Sequence, residues 1–188
     1  MWWVPWILST GLLGGAIIVS YSIVLLNSFG DFPVPQPVTG NYLESPYWLG
    51  LHKNSTAAIA VFQVFGAIGY VVWQWSLVAE RPTRGLLADT RWLLFANALF
   101  LLPSVLWPFA AHKLLQDETS LLWAILSSSC LWLAAIGLLM LIGGTFEDNR
   151  ESPQALVGLL FTSTVVVVAD GAGWSALAIY RAVHHLVT

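Results

Sequence analysis

The chain has 188 residues, 57% of them hydrophobic and 9% charged, with a mean hydropathy of +0.75. A soluble domain carries roughly 25% charged residues, so most of this chain is built for a solvent other than water. The net charge of -3, spread over the polar segments, gives no basic footprint for nucleic acid, and the lone cysteine, Cys130, excludes an intrachain disulfide and an all-cysteine metal site.

A helix that spans a bilayer needs about 20 mostly apolar residues. Five segments supply them: 2–26, 56–78, 92–111, 121–142 and 155–180. Backbone polar groups in lipid must be satisfied internally, and no alternating strand pattern occurs, so the expected fold is an all-α integral membrane bundle of five transmembrane helices. No soluble domain is left over and no internal repeat is visible, so residues 1–188 read as a single transmembrane domain.

The first span opens on "MWWVPWILST", without a basic residue. Its apolar run exceeds the ~7–15 residues of a signal h-region, so it reads as a retained helix. The loop that follows, 27–55, is long. Pro33, Pro35 and Pro37 favour extended chain there, and Tyr42, Tyr47 and Trp48 suit a membrane surface. The later connections, "AERPTRGLLADTR", "HKLLQDETS" and "GGTFEDNRESPQ", are polar or rich in breakers.

Five spans place the termini on opposite sides; side B holds the N-terminus and side A the C-terminus. Arg81, Arg84, Arg91 and Arg150 fall on side B, against Lys53, Lys113 and Arg181 on side A. That margin favours a cytoplasmic N-terminus. Trp2, Trp3, Trp6, Trp73, Trp75 and Trp92 fall toward side B, and Trp107, Trp123 and Tyr180 toward side A, as two interfacial belts would. Trp132 and Trp174 remain inside the hydrocarbon, where they are expected to face other helices or a bound molecule.

Asp170 lies within the last span, in "VVVVADGAGWSALAIY". A charge at mid-bilayer costs at least about 2.5–3.5 kcal/mol, so an ionisable residue at this depth is a functional hypothesis by default. Counted at ~1.5 Å per residue from side A, Gln63, Ser104, Ser127, Ser128, Ser129, Ser20, Tyr21 and Ser22 lie at similar depth. Gln63, Gly66, Tyr70 and Gln74 form one helical stripe, and the pairs Asn97/Ser104 and Ser163/Asp170 are each seven apart. Pro103 also frees the carbonyl of Leu99. The expectation is a polar layer that hydrogen-bonds Asp170; a protonated Asp170 fits equally. The alternative is that serines, glycines and glutamines serve helix packing, with Gly11/Gly15 and Gly171/Gly173 allowing close approach.

All four histidines, His52, His112, His184 and His185, fall on side A. As a metal set they are weak candidates. No HxxxH, HExxH or ExxH spacing occurs, and three of them sit at helix C-termini, where the dipole favours imidazolium. No metal is therefore expected. Nucleophile, Walker and dinucleotide motifs are absent and no span contains a lysine, which disfavours catalysis.

The stretches "FQVFGAIGYVVWQW", "LLFANALFLLPSVLWPF" and "GWSALAIY", on a small five-span chain with many tryptophans, resemble the translocator protein/tryptophan-rich sensory protein family. "SPYWLGLHKNS" and "DGAGW" depart from that family's patterns before helix two and near the end of helix five. The resemblance implies a dimeric carrier or sensor of a hydrophobic ligand such as a tetrapyrrole or sterol.

Three functions compete. The first is binding or carriage of a small hydrophobic or amphipathic ligand, a pigment among the candidates. Its pocket would use Asp170, Gln63, Tyr21, Ser104, Trp107, Ser128 and Trp174. The second is an accessory subunit of a larger membrane complex. The third is a proton or ion pathway through Asp170. Expected partners are membrane lipids and either further copies of the chain or other membrane subunits.

Overall fold

The computed structural model describes residues 3–27, 49, 53–79, 82–117, 120–147, 160 and 162–187. Most of the long first loop, His52, the side chain of His185 and the start of the fifth span at 155–159 lie outside the described residues.

Five helices are long and apolar enough to cross a membrane, which fits a multi-span membrane protein with an all-α fold. They are α1 (Trp3–Asn27), α2 (Lys53–Ala79), α3 (Thr90–Gln116), α4 (Leu121–Glu147) and α5. The last has a π-helical part, Thr164–Trp174, that continues as an α-helix over Ser175–Val187.

Helices α3 and α4 run beyond the apolar segments read from sequence. Asp89 caps α3, its Oδ1 accepting from the Arg91 N–H at 2.8 Å. At the other end, His112 Nε2 lies 3.0 Å from Gln116 Nε2, and Lys113 Nζ donates to Gln116 Oε1 at 3.1 Å. These pairs, three and four residues apart, support helix after the apolar run has ended. The Asp117 N–H then closes back on the Lys113 and Leu114 carbonyls, and the Ser120 N–H donates to the Asp117 carbonyl, which turns the chain into α4.

Named pairs fix the helix directions. Thr10 meets Asn97 and Tyr21 meets Trp107, so α1 and α3 are parallel. Trp73, late in α2, meets Thr145, late in α4, so these two run together as well. Gly137 of α4 lies on the backbone of Leu99 and Phe100, and Gly144 lies on Leu87 of the short 3-10 turn Leu86–Ala88, so α4 opposes α3. Helices α1 and α3 therefore run one way and α2 and α4 the other, as alternating spans require.

The α3–α4 pair is the centre of the bundle. A Cβ at Gly137 would stand 2.7 Å from the Leu99 carbonyl carbon and 2.8 Å from the Ala96 oxygen. Only glycine allows that backbone approach. Lipid tails are as apolar as leucine, so close packing rather than water exclusion must hold helices together here. Gly11, Gly14 and Gly15 of α1 have no such neighbour: a Cβ there would meet nothing within 4 Å. Among the described residues, the close approach expected at Gly11 and Gly15 is absent. Among the described residues, Gly171 and Gly173 do not contact another helix closely either. An added Cβ at each would meet only its own helix, at the Val166 and Val168 oxygens.

Two buried clusters stack along the bundle. The side-B cluster contains Trp6, Trp73, Leu77, Leu93, Phe100, Leu138 and Leu141 among others. The side-A cluster includes Val24, Leu114, Ala124, Leu131, Trp174, Ala178 and Ala182. Two tryptophan expectations change accordingly. Trp6 and Trp73 are core residues rather than interfacial ones, and Trp132 turns outward at 46% exposure. Trp174 is buried.

Candidate functional site

The π-helical segment has a local cause. The hydroxyls of Ser163 and Thr164 both donate to the Leu160 carbonyl at 2.9 Å, competing with the backbone N–H that an α-helix would bring there. Four valines follow, whose branched side chains crowd the preceding α-turn, and then two glycines. The turns widen and α-periodicity lapses over Thr164–Trp174. The seven-residue spacing of Ser163 and Asp170 therefore no longer places them on one face. Asp170 lies in the second half of this segment, half-buried, at the level where the two clusters meet.

Three of the expected site residues come together. Tyr21 packs on Trp107 with ring centroids 5.6 Å apart, and Trp107 meets Trp174 edge to face at 5.3 Å. This aromatic ladder joins α1, α3 and α5. Trp174 stands four residues from Asp170 along a helical segment, so one end of the ladder lies about one turn from the carboxyl.

The serines do not gather round Asp170. Ser104 donates to the Phe100 carbonyl at 2.8 Å, Ser20 to Ile17 at 2.9 Å, and Ser127 to Trp123 at 2.7 Å, each within its own helix. The freed Leu99 carbonyl belongs to the α3–α4 seam at Gly137. Gln63 is half-buried on the inward stripe of α2. Ser128 is buried, and its hydroxyl has no hydrogen-bond partner among the described residues. Of the hydroxyls expected around Asp170, those of Ser20, Ser104 and Ser127 are thus bonded to their own backbones. Among the described residues, Asp170 makes no hydrogen bond or ion pair.

Side-chain hydrogen bonds between helices are found toward side B. Tyr70 Oη donates to Asn97 Oδ1 at 3.0 Å, and Asn97 Nδ2 donates to Thr10 Oγ1 at 3.0 Å. Asn97 is fully buried. Trp73 Nε1 donates to Thr145 Oγ1 at 3.2 Å, and Thr162 Oγ1 to the Gly66 carbonyl at 2.8 Å. The signal for this hub was present in the sequence, since Asn97 is the one asparagine inside a span.

His112 is half-buried beside Gln116, and the His184 ring packs near Tyr180 at 5.8 Å. Both lie toward the side-A end. Among the described residues no group of three or more His, Cys, Asp or Glu is placed to hold a metal ion. Near that end a shallow cleft is lined by Leu49, Leu114, Leu115, Ala178 and Arg181. Leu49 there adopts a left-handed φ of 51°, rare for a side chain of its size. Compared with known proteins, the chain matches no family model, no curated protein and no solved structure, so the resemblance to the translocator protein family gains no support from a match.

Proposed function

We propose that the protein binds a small amphipathic molecule within the bilayer. The ligand's apolar body lies along Tyr21, Trp107 and Trp174, and its polar head reaches Asp170. One observation carries this reading: an aromatic ladder across three helices ends about one turn from a half-buried carboxyl with no partner among the described residues. Aromatic faces beside a carboxyl suit a head group that is cationic or donates hydrogen bonds. The self-bonded hydroxyls of Ser20, Ser104 and Ser127 favour binding over a proton relay, because they offer no chain of donors leading away from Asp170.

A second reading, an accessory subunit, has its own support. The glycine face of α1 is open, and α1 and α2 are the least buried of the five helices. Purification in mild detergent separates the two. A monomer or dimer carrying a small-molecule mass supports ligand binding. Co-purifying subunits without a bound small molecule support the accessory role. The N-terminus is proposed to be cytoplasmic, on the loop arginines of side B.

A further inference from the structure

Two further polar side chains each lie one helical turn from the Tyr70–Asn97–Thr10 chain, toward side B. Gln74 is 8% exposed, and both polar atoms of its amide lack a hydrogen-bond partner among the described residues. Trp6 is 1% exposed, and its indole N–H is likewise unpartnered. Gln74 follows Tyr70 by four residues, and Trp6 precedes Thr10 by four. Because α1 and α2 run in opposite directions, both steps lead one turn toward the same end of the bundle. The Gln74 amide neighbours the Tyr70 hydroxyl without reaching hydrogen-bonding geometry. Tyr70 and Trp6 belong to one packed cluster.

The chemistry of these atoms is specific. Trp6 offers one donor; Gln74 offers two donors and one acceptor. Neither residue carries a charge. A buried amide left unmade is costly in a low-dielectric interior, and native proteins cover such atoms with protein or with an ordered guest. The matching guest is neutral and both accepts and donates. It takes a hydrogen bond from an N–H and gives one to the Gln74 carbonyl oxygen. A hydroxyl does both; a cation cannot accept and a carboxylate cannot donate.

We propose that Gln74 and Trp6, with the Tyr70–Asn97–Thr10 chain as their roof, form a binding site for one neutral hydroxyl group. The hydroxyl belongs either to an internal water or to the alcohol head of a membrane-soluble molecule. The site is independent of Asp170 and stands whether or not the aromatic ladder holds a ligand.

The sign of a stability change tests it. Gln74→Met keeps the length of the side chain and removes its polar atoms. If the amide binds a hydroxyl, the variant strands the guest and lowers Tm. A loss near 1 kcal/mol corresponds to about 2–4 °C in a chain of this size. An unoccupied site gives the opposite sign, because removing unmade polar atoms from a core stabilises it. The full-length protein is compared with Gln74→Met in detergent, before and after exhaustive delipidation. A Tm loss in both preparations supports water. A loss seen only before delipidation supports an alcohol from the membrane. An unchanged or raised Tm in both overturns the proposal.

If Gln74→Met does not fold, nuclear magnetic resonance of tryptophan-labelled wild type decides. The Trp6 indole proton, assigned by its loss in Trp6→Phe, is expected to show a cross-peak to water or to an alcohol proton. Absence of both overturns the site.

Discussion

Trp107 and Trp174 meet edge to face at 5.3 Å, tying the middle of α3 to the junction where the π-helical part of α5 becomes α-helical. Edge-to-face aromatic pairs contribute about 0.5–1.5 kcal/mol beyond their buried area. This contact holds the C-terminal end of the π segment, and Asp170 with it, against the bundle. Trp174→Leu is expected to cost about 1–3 kcal/mol of stability and to loosen the segment. Thermal unfolding in detergent checks the first, and faster amide exchange at 164–174 than elsewhere in α5 checks the second.

Asp170 is expected to be dispensable for folding. It has no partner among the described residues, so no described neighbour loses a bond when it is replaced. Asp170→Asn and Asp170→Leu should both fold, and Leu should equal or exceed wild type in Tm, since it removes an ionisable group from the apolar interior. Unfolding of Asp170→Leu at a Tm several degrees below wild type would show that the carboxyl is a structural bond.

Asn97 is expected to be the most sensitive polar position. It is fully buried and joins Tyr70 and Thr10, so Asn97→Leu strands a phenol and a hydroxyl at once. The expected loss is about 1–3 kcal/mol, near the upper range for hydrogen bonds in membranes. Tyr70→Phe should cost less, and the double variant should cost less than the sum of the two. Equal stability of Asn97→Leu and wild type would contradict the hub.

The glycines divide into two classes. Gly137→Ala drives a methyl into the backbone of α3 and should cost about 1–3 kcal/mol by overpacking. Gly11→Ala and Gly15→Ala meet open space and should leave the Tm of a monomer unchanged. A loss of oligomer on Gly11→Leu, at unchanged monomer stability, would place another copy or subunit on that face. Unfolding curves paired with size measurements resolve both points.

Much of the fold was legible because a bilayer allows few solutions. Runs of about 20 apolar residues between polar turns define helices with little ambiguity. The inward stripe Gln63–Gly66–Tyr70–Gln74 followed from 3.6-residue spacing, and three of its members now contact or approach other helices. Depth alone misled. Ser20, Ser104 and Ser127 share a level with Asp170, yet a hydroxyl in a helix can always turn to its own carbonyl, and sequence does not show which way it turns. Trp6 and Trp73 look interfacial by position, but their rings are consumed by the core. The π segment could not be read from an assumed α-period, so the shared face of Ser163 and Asp170 was lost with it. Asn97 was legible as a residue and not as a hub, because its partners depend on the register between helices.

The most direct test of the binding role is the native mass and absorption spectrum of the full-length protein in mild detergent, taken for wild type, Asp170→Asn and Trp174→Leu. Ligand binding at the ladder gives a wild type that carries a small-molecule mass, or takes one up from added amphiphile, while both folded variants lose it. Wild type and variants of identical mass and spectrum, with or without added amphiphile, would contradict it.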